Sequence, residues 1–228
     1  QFDAWRGSNH DLAMQVADER TALGDFSDAR LTYTGVTSTF FKRDGKLYAN
    51  IDGPDGRLRD YEIKYTYGVD PLQQYLVEFP GGRLQALAIA WDSRPGSEGG
   101  QRWFHLYPGE KVDFRDVLHW TGPALNWNHM CAECHSTGLT KGYSADEDKF
   151  VTRWAEINVS CEACHGPGSR HIAWAGRSPR DDDDAARGLE ARLGSGPGAW
   201  VFDAVGPLAR LTSPRDTTAT LETCARCH

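Results

Sequence analysis

Between residues 31 and 110 the chain alternates short runs of aromatic and β-branched residues with sharp polar breaks. The runs fall at 31–34, 38–41, 46–51, 61–67, 75–79 and 84–91, and a further one at 103–107 carries His105. Runs of this length and composition predict strands rather than helices. Arg43-Asp44-Gly45, Asp52-Gly-Pro-Asp-Gly56 and Pro80-Gly81-Gly82 separate them. These are residues that accept a positive φ or preset a turn, so 31–110 reads as an antiparallel β meander. Residues 1–30 are polar, with Trp5, His10, Met14, Val16 and Ala17 ahead of Gly24 as a stop, and predict a helical segment. Beyond residue 110 the texture changes to glycine and proline loops with short helices. There, Gly166-Pro167-Gly168 is one break, and the acidic run at 181–184, beside Arg177 and Arg180, reads as a solvated loop rather than a calcium site.

Composition narrows the class. Of the 228 residues, 39% are hydrophobic and 11% aromatic, ordinary values for a globular protein. A mean hydropathy of -0.57 is polar for a chain that fills its interior with side chains alone, which suggests a cofactor in that role. The most apolar stretch, 84–91, is far shorter than the roughly 18 to 20 residues of a membrane-spanning helix, so no membrane span is expected. A formal charge of -7 disfavours nucleic acid as a partner.

All six cysteines fall in three copies of one pattern: Cys131-Ala-Glu-Cys134-His135, Cys161-Glu-Ala-Cys164-His165 and Cys224-Ala-Arg-Cys227-His228. With 8 histidines in 228 residues, chance would place a histidine after all three pairs with a probability of about 0.00004. One helical turn brings both thiols of a Cys-x-x-Cys-His motif to one edge of a haem, where they form thioethers with its vinyl groups. The adjacent histidine then ligates the iron. A disulfide scaffold gives no reason for the three histidines. A four-thiolate zinc site from Cys131, Cys134, Cys161 and Cys164 would strand the third motif, and a thioredoxin-like pair lacks its strand-to-helix setting. Three covalently attached haems c follow, with His135, His165 and His228 as proximal ligands.

The remaining histidines are His10, His105, His119, His129 and His171, against only two methionines, Met14 and Met130. Bis-histidine ligation is therefore the default, and it implies low reduction potentials. His10, His119 and His171 are the leading distal candidates. His105, in its apparent strand, is either a fourth ligand or structural, and His129 is a ligand, a surface residue or a propionate contact. His171 lies six residues after His165, a tether that favours ligation of a neighbouring haem. Trp120, Trp127, Trp154 and Trp174 are placed to pack on haem faces or to serve as ordinary core.

The strings Trp127-Asn-His-Met-Cys-Ala-Glu-Cys-His-Ser-Thr137 and Ile157-Asn-Val-Ser-Cys-Glu-Ala-Cys-His-Gly-Pro-Gly-Ser-Arg-His171 resemble the multihaem cytochromes that often carry downstream tetratricopeptide repeats. These are related to the tetrahaem electron acceptor of hydroxylamine oxidoreductase in ammonia oxidisers. The resemblance extends to Trp5–Met14 and residues 65–91, and implies an exported periplasmic or extracellular carrier with closely stacked haems.

The resulting fold expectation is α+β: short haem-binding helices and loops packed around stacked c-type haems, with an inserted antiparallel β region. It divides into a haem-contacting helical segment at 1–30, the β region at 31–110 and the multihaem region at 111–228. His10 lies where the resembled family has just completed an earlier haem motif, and His228 ends the chain. A natural protein longer at both ends with at least four haems is therefore expected, the fourth coming from an upstream motif or a neighbouring subunit. If His105 is structural, three haems suffice. Electron transfer with redox proteins or extracellular acceptors, as a unit of a larger haem chain, homo-oligomer or filament, is the leading function. A redox enzyme acting on hydroxylamine or a nitrogen oxide is the alternative and needs a five-coordinate iron. A module in which haem only supports the fold is the third reading.

Overall fold

A computed structural model describes residues 2–177, 186–191, 193, 200–202, 209–211 and 218–228; the acidic run at 181–184 lies outside them. The chain divides into two compact units, Gln1–Ser160 and Cys161–His228.

In the first unit a single helical turn, α1 (Phe2–Trp5), is followed by nine strands: β1 (Met14–Val16), β2 (Ser27–Tyr33), β3 (Val36–Arg43), β4 (Lys46–Asp52), β5 (Leu58–Tyr67), β6 (Leu72–Phe79), β7 (Arg83–Ala86), β8 (Ile89–Asp92) and β9 (Arg102–His105). All pairings are antiparallel, in the order β2-β3-β4-β5-β6-β8-β9, with β1 on β5 and β7 on β6. The β3–β4 hairpin pairs Arg43 with Lys46, and its two turn residues, Asp44 and Gly45, have φ of 51° and 73°. Both values are what a two-residue hairpin with the right-handed twist of its strands requires.

The sheet curls into a nearly closed barrel. Tyr33 of β2 stacks on His105 of β9, centroids 4.1 Å apart and planes 8° apart, and the Tyr33 hydroxyl donates to the Tyr107 carbonyl at 2.5 Å. Inward positions alternate along the strands, as at Leu47, Ala49 and Ile51 of β4, all at most 2% exposed. Trp103 stands at the centre of the core, stacked on Phe40 at 3.7 Å and edge-on to Phe26 at 5.4 Å and Trp91 at 5.4 Å. Gly24 admits this ring: a Cβ there would meet Trp103 and the Tyr75 hydroxyl at 2.6 Å.

These findings overturn the expected fold class. The first unit is mainly an antiparallel barrel rather than short helices and loops packed around stacked haems. The physical reason lies in the aromatic and β-branched side chains. They fill one another's space inside the curled sheet, so this core is built from packed side chains. The helix expected over 1–30 gives way to α1, turns, β1 and the start of β2. There Met14 is fully buried whereas Val16 is 62% exposed, so burial falls away along β1, and what makes it a strand is its pairing with β5.

After β9 the first unit continues through α2 (Trp127–Met130), α3 (Ala132–His135) and the hairpin of β10 (Tyr143–Ser144) and β11 (Lys149–Phe150). The second unit holds α4 (Cys161–His165), α5 (Ser169–Ala175), the antiparallel pair β12 (Trp200–Phe202) and β13 (Ala209–Leu211), and α6 (Thr218–Cys224). Among the described residues no helix is long and apolar enough to cross a membrane.

Candidate haem-binding site

The first Cys-x-x-Cys-His motif is clamped to the barrel by the polar residues that precede it. Leu84 of β7 donates its N–H to the Asn128 side chain at 2.7 Å. Asn126 donates to Gln85 at 3.0 Å, and Gln85 in turn donates to the carbonyls of Trp120 and Gly122. These groups are buried, so each unmade hydrogen bond would cost about 1–3 kcal/mol; their mutual pairing fixes where α2 begins. Asn126 also caps α2, accepting from the His129 N–H at 3.1 Å.

Each motif is one turn of helix. The N–H of His135 reaches the Cys131 carbonyl at 3.2 Å, that of His228 reaches the Cys224 carbonyl at 3.0 Å, and α4 spans Cys161–His165. Both thiols and the imidazole of a motif are thus carried on one turn, as attachment to one haem edge requires, and no disulfide joins any of the six cysteines among the described residues.

The imidazole hydrogen bonds sort the histidines. His135 places Nδ1 3.1 Å from the Ala13 carbonyl, and His165 places Nδ1 3.3 Å from the Ala191 carbonyl. His171 places Nδ1 2.8 Å from the Arg187 carbonyl and stacks on Trp174. A carbonyl only accepts, so in all three Nδ1 carries the proton and Nε2 presents its lone pair, the tautomer an iron ligand needs. Burial pushes His135 below the ordinary imidazole pKa, which keeps that lone pair available.

His105 and His119 are held differently. The Tyr107 N–H donates to Nδ1 of His105 at 3.2 Å, which leaves the proton of the neutral ring on Nε2. His119 is buried with both nitrogens engaged, Nε2 at 3.1 Å from Asp52 Oδ2 and Nδ1 at 2.8 Å from Thr121 Oγ1. The two rings line one recess at the barrel end with Tyr33, Asp52 and Trp120. For His119 to ligate iron, it would have to exchange Asp52 for the metal. His10 is exposed, and its carbonyl accepts the Val159 N–H at 3.2 Å; His129 is exposed and packs against Tyr143 and Phe150. His228 is exposed at the end of the third motif.

Two buried donors beside the motifs test whether the residues fit haem. The Trp127 indole N–H, one helical turn before Cys131, and the Ser160 hydroxyl, adjacent to Cys161, have no hydrogen-bond partner among the described residues. Neither donor can reach the propionates of the haem at its own motif, which lie on the edge opposite the thioethers; what fits the group is the donor set itself, two thiols and an imidazole on one turn. In the second unit Cys164 is within electrostatic reach of Cys224 and Arg226, which places the second and third motifs near one another.

Two groups that matter here carried no signal in the sequence. Ala13 contributes only a carbonyl, and Tyr67 of β5 sits edge-on to the His135 ring, centroids 5.2 Å apart at 89°, with its hydroxyl donating to the Cys131 sulfur. Burial pushes the Cys131 thiol up to about 11, and the Tyr67 hydrogen bond only partly offsets this. A thiol with a raised pKa stays protonated until the pH approaches that value, and the thiolate is the nucleophile. In protein kept free of haem at about pH 8, iodoacetamide is therefore expected to label the exposed Cys161 and Cys224 well before Cys131, as read by peptide mass mapping.

The three motifs and the geometry around them carry what covalent attachment of c-type haem requires, two thiols and an imidazole on one turn. A family model described as cytochrome c554 and c-prime matches residues 113–166, a span that takes in the first two motifs and leaves the barrel strands outside. Neither the curated proteins nor the solved structures include a match.

Proposed function

We propose that this chain is a multihaem electron carrier. It holds three haems c at Cys131 and Cys134, Cys161 and Cys164, and Cys224 and Cys227, with His135, His165 and His228 as proximal ligands. Each bound haem supplies a one-electron change at iron. The chain's own residues would hold it covalently and fix the imidazole tautomer. The carrying observation is the contact of His135 Nδ1 with the Ala13 carbonyl, repeated by His165 with Ala191, which sets the tautomer whose lone pair is on Nε2. His171, held in the same tautomer by Arg187, is the distal ligand this pattern supports best, and His10 is the second. Bis-histidine ligation gives low potentials, and the nearness of the second and third motifs suits rapid transfer between haems. An exported location, periplasmic or extracellular, suits covalent haem, and redox proteins or extracellular acceptors are the partners.

Intact mass combined with pyridine haemochrome counting tests the stoichiometry, the expected result being three haems per chain. A low-spin ferric EPR spectrum tests the ligation. A high-spin signal, with carbon monoxide bound by one reduced haem, would instead support the redox-enzyme reading.

A further inference from the structure

β1 and β5 run antiparallel, with Met14 opposite Tyr67. At the end of this pair the Ala13 carbonyl accepts two hydrogen bonds, from the Gly68 N–H at 2.9 Å and from His135 Nδ1 at 3.1 Å. The backbone bond that closes the β1–β5 ladder thus shares its acceptor with the imidazole of the first motif. Tyr67, one residue before Gly68, touches the same motif twice, with its ring edge on His135 and its hydroxyl on Cys131. It is 6% exposed, and Gln74 of β6 donates to its oxygen. Core packing alone would be served by phenylalanine. Here the hydroxyl is buried against a sulfur that, once in a thioether, still accepts a hydrogen bond weakly.

We propose that the β1–β5 pair forms the proximal wall of the first haem and that Tyr67 is a positioning residue there, holding the His135 ring plane and the Cys131 sulfur in one fixed relation. This rests on the multihaem reading above. Two contacts define the imidazole plane, the Ala13 carbonyl at Nδ1 and the Tyr67 ring at the imidazole edge. With a haem attached at Cys131, the positive end of the hydroxyl dipole would lie at its thioether edge, where it would favour the reduced, more electron-rich state. Outer contacts of this kind tune a metal site without binding the metal.

The full-length haem-loaded chain tests this with two variants. Tyr67→Phe keeps the ring and removes the hydroxyl. It should retain every haem, leave the low-spin EPR g values unchanged and lower the midpoint potential of one haem in a spectroelectrochemical titration. Tyr67→Leu also removes the ring edge, and should in addition shift the g values of that haem as its imidazole turns. If the Tyr67→Phe titration superimposes on that of the parent with the haem count intact, the hydroxyl has no such role. If Tyr67→Leu leaves the g values unmoved, the ring does not set the imidazole plane. A parent chain without haem at Cys131 would overturn the multihaem reading itself, a result that haem counting distinguishes from the other two.

Discussion

Trp103→Ala is expected to destabilise the barrel unit by about 3–5 kcal/mol, the range for truncating a large buried aromatic. The ring is 7% exposed and meets Phe26, Phe40, Tyr75 and Trp91, so its removal leaves a cavity that four aromatic neighbours cannot collapse into without leaving their own contacts. Its indole N–H also donates to the Asp25 carbonyl at 3.0 Å, and that part-buried hydrogen bond is lost as well. Because a small domain has only about 5–15 kcal/mol of stability in total, the variant should show a much lower unfolding midpoint in urea, followed by far-UV circular dichroism. A midpoint within a few tenths of a kcal/mol of the parent would mean that Trp103 is not the centre of this core.

The second large effect concerns haem content. Replacing Cys131 and Cys134 together by serine is expected to lower the haem count by one while the barrel's circular dichroism persists. The strands pack on one another through their own side chains, and the first motif is held to β7 by Asn126 and Asn128, neither of which depends on the cofactor. Pyridine haemochrome absorbance per mole of protein measures the count. Loss of the barrel signal along with the haem would show that the macrocycle is part of that core after all.

The parts of the molecule that could be read from the sequence are those whose cause is local. A Cys-x-x-Cys-His motif is complete within five residues, so its chemistry is visible without the fold, and each motif does form one helical turn. Strand positions were legible where a side-chain alternation such as Leu47, Ala49 and Ile51 sits between turn residues such as Asp44-Gly45. Where the cause is distant, the sequence was silent. β1 has only three residues, and it is a strand because Met14, Gln15 and Val16 find Tyr67, Thr66 and Tyr65 as partners, which no local preference records. Barrel closure depends on Tyr33 meeting His105 from the far end of the sheet, a contact that leaves no local mark in the sequence. The same distance hid Ala13 and Tyr67, whose relation to His135 exists only after β1 and β5 have paired. The histidine count, likewise, carried no information on which rings would be engaged by Asp52, Thr121 or Tyr107.

β5 pairs with β4 through residues 58–62 and with β6 through residues 63–67, and it takes β1 beside it at residues 65–67. A strand with that many obligations cannot open by itself. Freeing Tyr67 from the Cys131 sulfur would require breaking the ladder on both sides, an event close in free energy to global unfolding rather than to the fraying of a loop. The protein environment of the first motif thus has the breathing rate of the barrel and not of the short helix that carries its cysteines. Fluctuations at that motif are slowed by strands many residues away in the chain.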